Sequence, residues 1–220
     1  MSAPVEPEPP LPLRVGCVGA SVTFGRGLKN RREECYPAVL ERMLAAQSDA
    51  TRCVVRNFGY SGATATREGN EPYWRTPSFH AATRFRSHVV VVMLGLNDAQ
   101  FANASSRGSL QRDLADLVEH FSAPIDGRRA TVMLSQPPPA FPPHEEIDFD
   151  ALRDEVRPAI ALVAESTGAP LIDFLSPLAE LRDEFPDGLH PTARAAVALA
   201  EVAQAAVTPV LADWRAATPA

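Results

Sequence analysis

Val15-Gly16-Cys17-Val18-Gly19-Ala20-Ser21-Val22-Thr23-Phe24-Gly25 reads as a buried strand that ends in a tight turn. Its apolar and small residues run without a polar interruption into Gly19-Ala20-Ser21, as in a parallel strand covered on both faces. Such strands deliver their last residues to the carboxyl edge of an open α/β sheet, where ligands bind. Ser21 stands at that edge, where a nucleophile would be placed. The same residue would serve equally well as a turn former or a helix N-cap, so its role depends on partners further along.

The apolar pattern recurs along the chain. Residues 53–58, 89–94, 130–134 and 171–174 predict four more strands, and the VVVVML run at 89–94, the most apolar, belongs at the centre of a sheet. Val39, Leu40, Met43 and Leu44 predict a helix over 36–44, with Pro37 in its first turn. Leu110, Leu114, Leu117, Val118 and Phe121 fall on one stripe of a second helix. Residues near 149–167 predict a third helix, and Asp187-Gly188-Leu189-His190-Pro191 opens an alanine-rich last one with Pro191 at its first position. The proline-rich stretch 136–144 can continue neither a sheet nor a helix. Strand alternating with helix predicts an α/β fold, a three-layer α/β/α sandwich around a five-stranded parallel sheet.

At 220 residues the chain fits a single domain over 14–220, preceded by a proline-rich tail at 1–13 that is expected to be disordered. That tail has neither the basic start nor the apolar core of a signal peptide, and the expected location is cytoplasmic. No apolar run approaches the roughly 20 residues of a membrane span. A net charge of -6 with scattered basic residues offers no phosphate-tracking surface, so nucleic acid is not an expected partner. Cys17, Cys35 and Cys53 are odd in number and read as small buried hydrophobes. Arg26 follows Gly25 where a P-loop needs lysine, Thr23 stands where a Gly-x-Ser-x-Gly elbow needs glycine, and no dinucleotide fingerprint is present. No cofactor is expected.

Acyl transfer requires a nucleophile, a base, a carboxylate that orients the base, and donors for the oxyanion. Four loops on one sheet edge carry such groups: Ser21, Gly62, Asn97, and the pair Asp187 and His190. Asp187 and His190 are three positions apart in a turn-like sequence, so one loop can present both. Taken singly, Gly62 is a loop glycine, Asn97 and Asp98 form a turn with a helix cap, and Asp187-Gly188 is a turn signal. A metal reading of Asp187 and His190 finds no third ligand at recognisable spacing. His80, His88, His120 and His144 read as surface or packing residues, and Tyr73, Trp74 and Phe79 as scaffold.

In order and spacing, Gly19-Ala20-Ser21, Gly62, Gly95-x-Asn97-Asp98 and Asp187-x-x-His190 resemble the sequence blocks of the SGNH hydrolases, also called the GDSL esterase family. The likeness is to the branch that contains small carbohydrate acetylesterases and lysophospholipase or thioesterase relatives. It implies the flavodoxin-like SGNH hydrolase fold and a metal-free serine esterase acting on small acyl esters, acetyl esters above all. By the same resemblance Ser21 is the nucleophile, His190 the base and Asp187 its orienting partner, with an oxyanion hole made of the Ser21 and Gly62 N–H groups and the Asn97 amide. Ala20 departs from the pattern, since the family carries aspartate before the serine, and a turn without that carboxylate is less firmly held unless other residues compensate. Two alternatives use the same residues. One is an acyltransferase; the other is a catalytically weak or inactive binding module whose Ser21 turn cradles an anion.

Overall fold

A computed structural model describes residues 11–47 and 53–217. Positions 1–10 of the expected tail lie outside the described residues, and the chain enters its first strand at Leu13, which pairs with Cys53 and buries its side chain. Five strands form one parallel sheet: β1 (Leu13–Gly19), β2 (Cys53–Gly59), β3 (Val89–Met93), β4 (Thr131–Gln136) and β5 (Leu171–Asp173). Their order is β2-β1-β3-β4-β5, the doubly wound arrangement expected from the alternating pattern. The chain leaves β1 toward one edge and returns to β3 on the other side, which makes the β1/β3 boundary the switch point.

Alternating side chains cover the two faces. Val15, Cys17, Val89, Val91 and Met93 pack with α1 (Tyr36–Ala45) and α5 (Ala193–Ala217). Val18, Val90, Val92 and Leu134 pack with α2 (Pro77–Phe85), α3 (Leu110–Phe121) and α4 (Arg157–Thr167). Helix α2 had no signature in the apolar pattern. It begins where Thr76 Oγ1 accepts the Phe79 N–H at 3.1 Å, with Pro77 at the first helical position. Upstream of α4, a single turn (Phe149–Ala151) runs into a wider π turn over Leu152–Val156, next to Pro158, whose missing N–H removes a rung.

The last helix starts later than the sequence predicts. Pro191 is not its first residue, because the Thr192 hydroxyl accepts the Ala195 N–H at 3.4 Å and the Thr192 carbonyl accepts that of Ala196 at 2.9 Å. His190 and Pro191 are thereby left in a loop. By length and composition α5 is apolar enough to cross a membrane, although Glu201 and Gln204 break every continuous run. Its buried stripe of Ala195, Leu199, Ala203, Val207 and Leu211 packs against α1 and the sheet, as in a core helix.

Candidate active site

Ser21 opens a single helical turn, Ser21–Phe24, closed by Gly25 at φ 89°, a left-handed conformation that suits glycine. Two glycines let the backbones meet here. A Cβ on Gly19 would lie 2.8 Å from the Met93 carbonyl oxygen, and one on Gly59 would collide with the Phe24 backbone. The turn is also clamped from β2. Asn57 Nδ2 donates to the Thr23 carbonyl at 2.6 Å, while Asn57 Oδ1 accepts the Gly59 N–H at 2.8 Å. One side chain thus ties the end of β2 to the Ser21 turn, supplying local support where Ala20 has none to offer.

Ser21 is buried, with its Oγ 2.8 Å from His190 Nε2. His190 Nδ1 lies 2.6 Å from Asp187 Oδ2, and Asp187 Oδ1 accepts the N–H groups of His190 at 2.7 Å and Leu189 at 3.0 Å. Gly188 at φ 81° makes that turn, with the Phe141 carbonyl packed so closely that a Cβ would lie 2.7 Å from its oxygen. Burial pushes the Asp187 carboxyl up, but the ring of His190, the two backbone N–H groups and the His190 charge outweigh it and hold the group down at about 2. An ionised carboxylate only accepts, so Nδ1 carries the proton and Nε2 is left to accept from the Ser21 hydroxyl.

On the other side of Ser21, Asn97 follows β3 and is buried. Its Nδ2 donates one hydrogen to the Ala63 carbonyl at 2.9 Å, and its own carbonyl accepts from Asn103 Nδ2 at 2.8 Å. Gly62, adjacent to Ala63, sits at φ 85°. Asp98, fully buried, accepts the Ala65 and Thr66 N–H groups at 2.9 Å each. Asn97 and Asp98 therefore grip the segment 63–66 at three points. Burial raises the Asp98 carboxyl despite the hydrogen bonds that oppose it.

A narrow cleft, with about 280 Å3 of space including its open mouth, joins Ser21 to Asn97, walled by Val22, Met93, Leu96, Pro137 and Pro138. The proline-rich stretch that could join no element is this wall. Arg157 donates to the Pro137 and Pro138 carbonyls at 3.0 and 3.3 Å, and Phe141 donates its N–H to the Gly188 carbonyl at 2.9 Å.

All five residues expected at the site thus lie at the β1/β3 switch point or on the loops beside it. The sequence reading missed Asn57, Asp98 and Arg157. A polar residue ending an apolar strand was the available signal for Asn57, and adjacency to Asn97 the signal for Asp98. Among the described residues no group of three or more His, Cys, Asp or Glu side chains is placed to hold a metal. Cys17 and Cys35 are buried and all three thiols are free. Tyr73 and Trp74 are scaffold: the Tyr73 hydroxyl donates to the Phe58 carbonyl at 2.8 Å, and the Trp74 indole to that of Ala65 at 3.0 Å. His120 stacks on Phe79, and His88 is buried with Nδ1 accepting the Arg14 N–H at 2.9 Å.

A serine, a histidine and a carboxylate in hydrogen-bonded series at the edge of an α/β sheet is an arrangement found in acyl-transferring hydrolases. The chain is a member of the GDSL-like lipase/acylhydrolase family, whose model matches residues 17–198. An acetylxylan esterase from Xylanibacter ruminicola is 29% identical over 211 residues, which cover 89% of this chain and 43% of that protein. The chain therefore spans less than half the length of that relative. Among solved structures, a lipase/acylhydrolase from Enterococcus faecalis superposes with a TM-score of 0.69 at 18% identity, covering 89% of this chain and 95% of that one. A carbohydrate acetylesterase from Sinorhizobium meliloti does so with a TM-score of 0.61 at 17% identity, over 91% and 99%. At these identities the two structures share the fold.

Proposed function

We propose that the chain is a serine esterase that hydrolyses short-chain acyl esters, acetyl esters foremost, through a Ser21-His190-Asp187 triad. The observation that carries this reading is the unbroken series from Ser21 Oγ through His190 to Asp187, at 2.8 and 2.6 Å. Ser21 Oγ attacks the ester carbonyl as Nε2 takes its proton, and Asp187 fixes the tautomer and stabilises the imidazolium. The oxyanion receives the Ser21 and Gly62 N–H groups and the second Asn97 amide hydrogen, the first being held by the Ala63 carbonyl. The bond to the alcohol oxygen then breaks, and that oxygen takes the proton from His190. Water, deprotonated by the same ring, attacks the acyl-enzyme and releases the acid.

The acyl part would lie in the cleft between Asn97 and the Pro137 and Pro138 wall. Its small volume and the anchoring of that wall by Arg157 favour a short chain. The acetyl esterase relative agrees with this choice.

A series of p-nitrophenyl esters from acetate to octanoate, with fluorophosphonate labelling, tests the reading. Labelling at Ser21, turnover that is highest for the shortest chains, and rates unchanged by chelators are expected. Absence of both label and turnover would leave the binding-module reading in its place.

A further inference from the structure

The turn Ser21–Phe24 is too short to hold its own orientation. A helix of four residues fixes many dihedrals for few hydrogen bonds, and its last carbonyls find no partner inside it. The carbonyls of Ala20, Ser21 and Val22 are met locally, by the N–H groups of Phe24, Gly25 and Arg26. That of Thr23 receives none of these and is met from the neighbouring strand, by Asn57 Nδ2 at 2.6 Å. The Thr23 hydroxyl faces inward instead, with the Tyr36 hydroxyl at 3.4 Å and the Met93 sulfur at 3.9 Å.

Asn57 also reaches forward along its own strand. Its Oδ1 accepts the Gly59 N–H at 2.8 Å, three positions before Gly62. The backbone between is tied down as well: the Tyr60 N–H donates to the Gly19 carbonyl at 2.9 Å, and the Ala63 N–H to that of Tyr60 at 3.1 Å. One planar amide therefore joins the turn that carries Ser21 to the loop that carries Gly62. Close packing completes the joint, since a Cβ on Gly59 would collide with the Phe24 backbone. That contact stops the turn from moving inward, and the bond to the Thr23 carbonyl stops it from moving out.

We propose, on the basis of the esterase reading above, that Asn57 is a positioning residue for the reaction, setting the hydroxyl and N–H of Ser21 against the N–H of Gly62. If the turn tilts, Ser21 Oγ and the Ser21 N–H move together, while Gly62 and Asn97 stay on their own loops. The tetrahedral centre then forms out of line with its donors, in both the attack on the ester and the attack of water on the acyl-enzyme. The alignment matters in the transition state far more than in the bound ester, so its loss is felt in kcat.

Asn57→Asp is the sharpest test. It keeps an oxygen for the Gly59 N–H but sets a carboxylate, which has no hydrogen to give, against the Thr23 carbonyl. Fluorophosphonate titration to completion counts the competent serines, and turnover of p-nitrophenyl acetate is divided by that count. The rate per site is expected to fall about a hundredfold, the scale of a misplacement of about 1 Å, with KM close to wild type. Asn57→Ala should behave alike. Cys35→Ala removes the sulfur that lies 3.3 Å from Asn57 Nδ2 but spares both bonds of the joint, and its rate per site should stay near wild type. Fewer labelled sites at an unchanged rate per site, a loss carried by KM, an equal loss in Cys35→Ala, or no folded protein from either Asn57 variant overturns the positioning role. In each of these cases turnover by wild type leaves the esterase reading standing. Wild type with neither label nor turnover removes both.

Discussion

Two carboxylates, Asp187 beside His190 and Asp98 next to Asn97, stand in opposite surroundings. The Asp187 side chain is 56% exposed and takes its hydrogen bonds from His190 and Leu189, within three positions of itself. Asp98 is fully buried and takes its bonds from Ala65 and Thr66, more than thirty positions away. The Asp187 carboxylate is thus held by its own turn, whereas the Asp98 carboxylate joins segments far apart in the chain. Under the proposed mechanism damage to either side should cost chemistry, and the larger loss of stability should fall on the Asn97 and Asp98 side.

The largest effect should come from the acid-base side. Ser21→Ala, His190→Ala and the double variant should each lose on the order of 10⁴-fold or more in kcat, and the double should be no worse than either single. Initial rates on p-nitrophenyl acetate check this, and losses that multiply would show the two residues acting separately. Melting temperatures should fall less than in Asn97→Ala.

Asn97→Ala should be smaller in rate and larger in stability. Removal of one oxyanion donor costs on the order of 3 kcal/mol in the transition state, felt in kcat with KM little changed. The same substitution leaves the Ala63 carbonyl without its donor, which costs roughly 1–3 kcal/mol of folding free energy if that oxygen stays dry. Steady-state kinetics paired with urea denaturation separate the two losses. A variant that lost rate at full stability would erase the contrast between the two sides.

The smallest effect, and the sharpest comparison, lies in the pH dependence of stability. Asp187 is held down at about 2, so between the usual carboxylate value near about 3.9 and that point the unfolded chain binds more protons than the native one. Stability from this group is therefore complete above about 4 and is lost as pH falls toward 2. Asp98 is shifted upward by burial, so the native chain binds more protons in the window above the ordinary value, and its contribution falls as pH rises through that window. Urea midpoints from pH 2 to 7 should lose the first slope in Asp187→Asn and the second in Asp98→Asn. Slopes of the same sign would contradict the assigned environments.

This contrast also explains what the sequence revealed. The sheet was legible because buried parallel strands are written as short apolar runs closed by glycine, and Asp187 with His190 because three positions suffice to define their turn. Gly62 and Asn97 were named as oxyanion donors only through family resemblance, since nothing local distinguishes them from loop residues. The grip of Asp98 on Ala65 and Thr66, the Asn57 clamp and the Arg157 anchor of the proline wall join segments that only the folded chain brings together. The start of α5 was misplaced by two residues because proline at a helix start is a generic signal, and the Thr192 cap overrode it. Ala20 marks a departure that the sequence exposed without revealing that Asn57 holds the same turn from the neighbouring strand.

Ser21 and His190 are separated by 169 positions, and the loop bearing His190 leads directly into α5, which docks on α1. During synthesis β1 and Ser21 leave the ribosome well before His190, which follows only when all five strands of the sheet have been made. Closing so long a loop carries an entropic cost that the docking of α5 must offset. Any intermediate lacking that docking holds a serine without an activating base. On the proposed mechanism ester cleavage is in this sense a late product of folding, and the onset of turnover in a refolding experiment would time the arrival of α5 on the sheet.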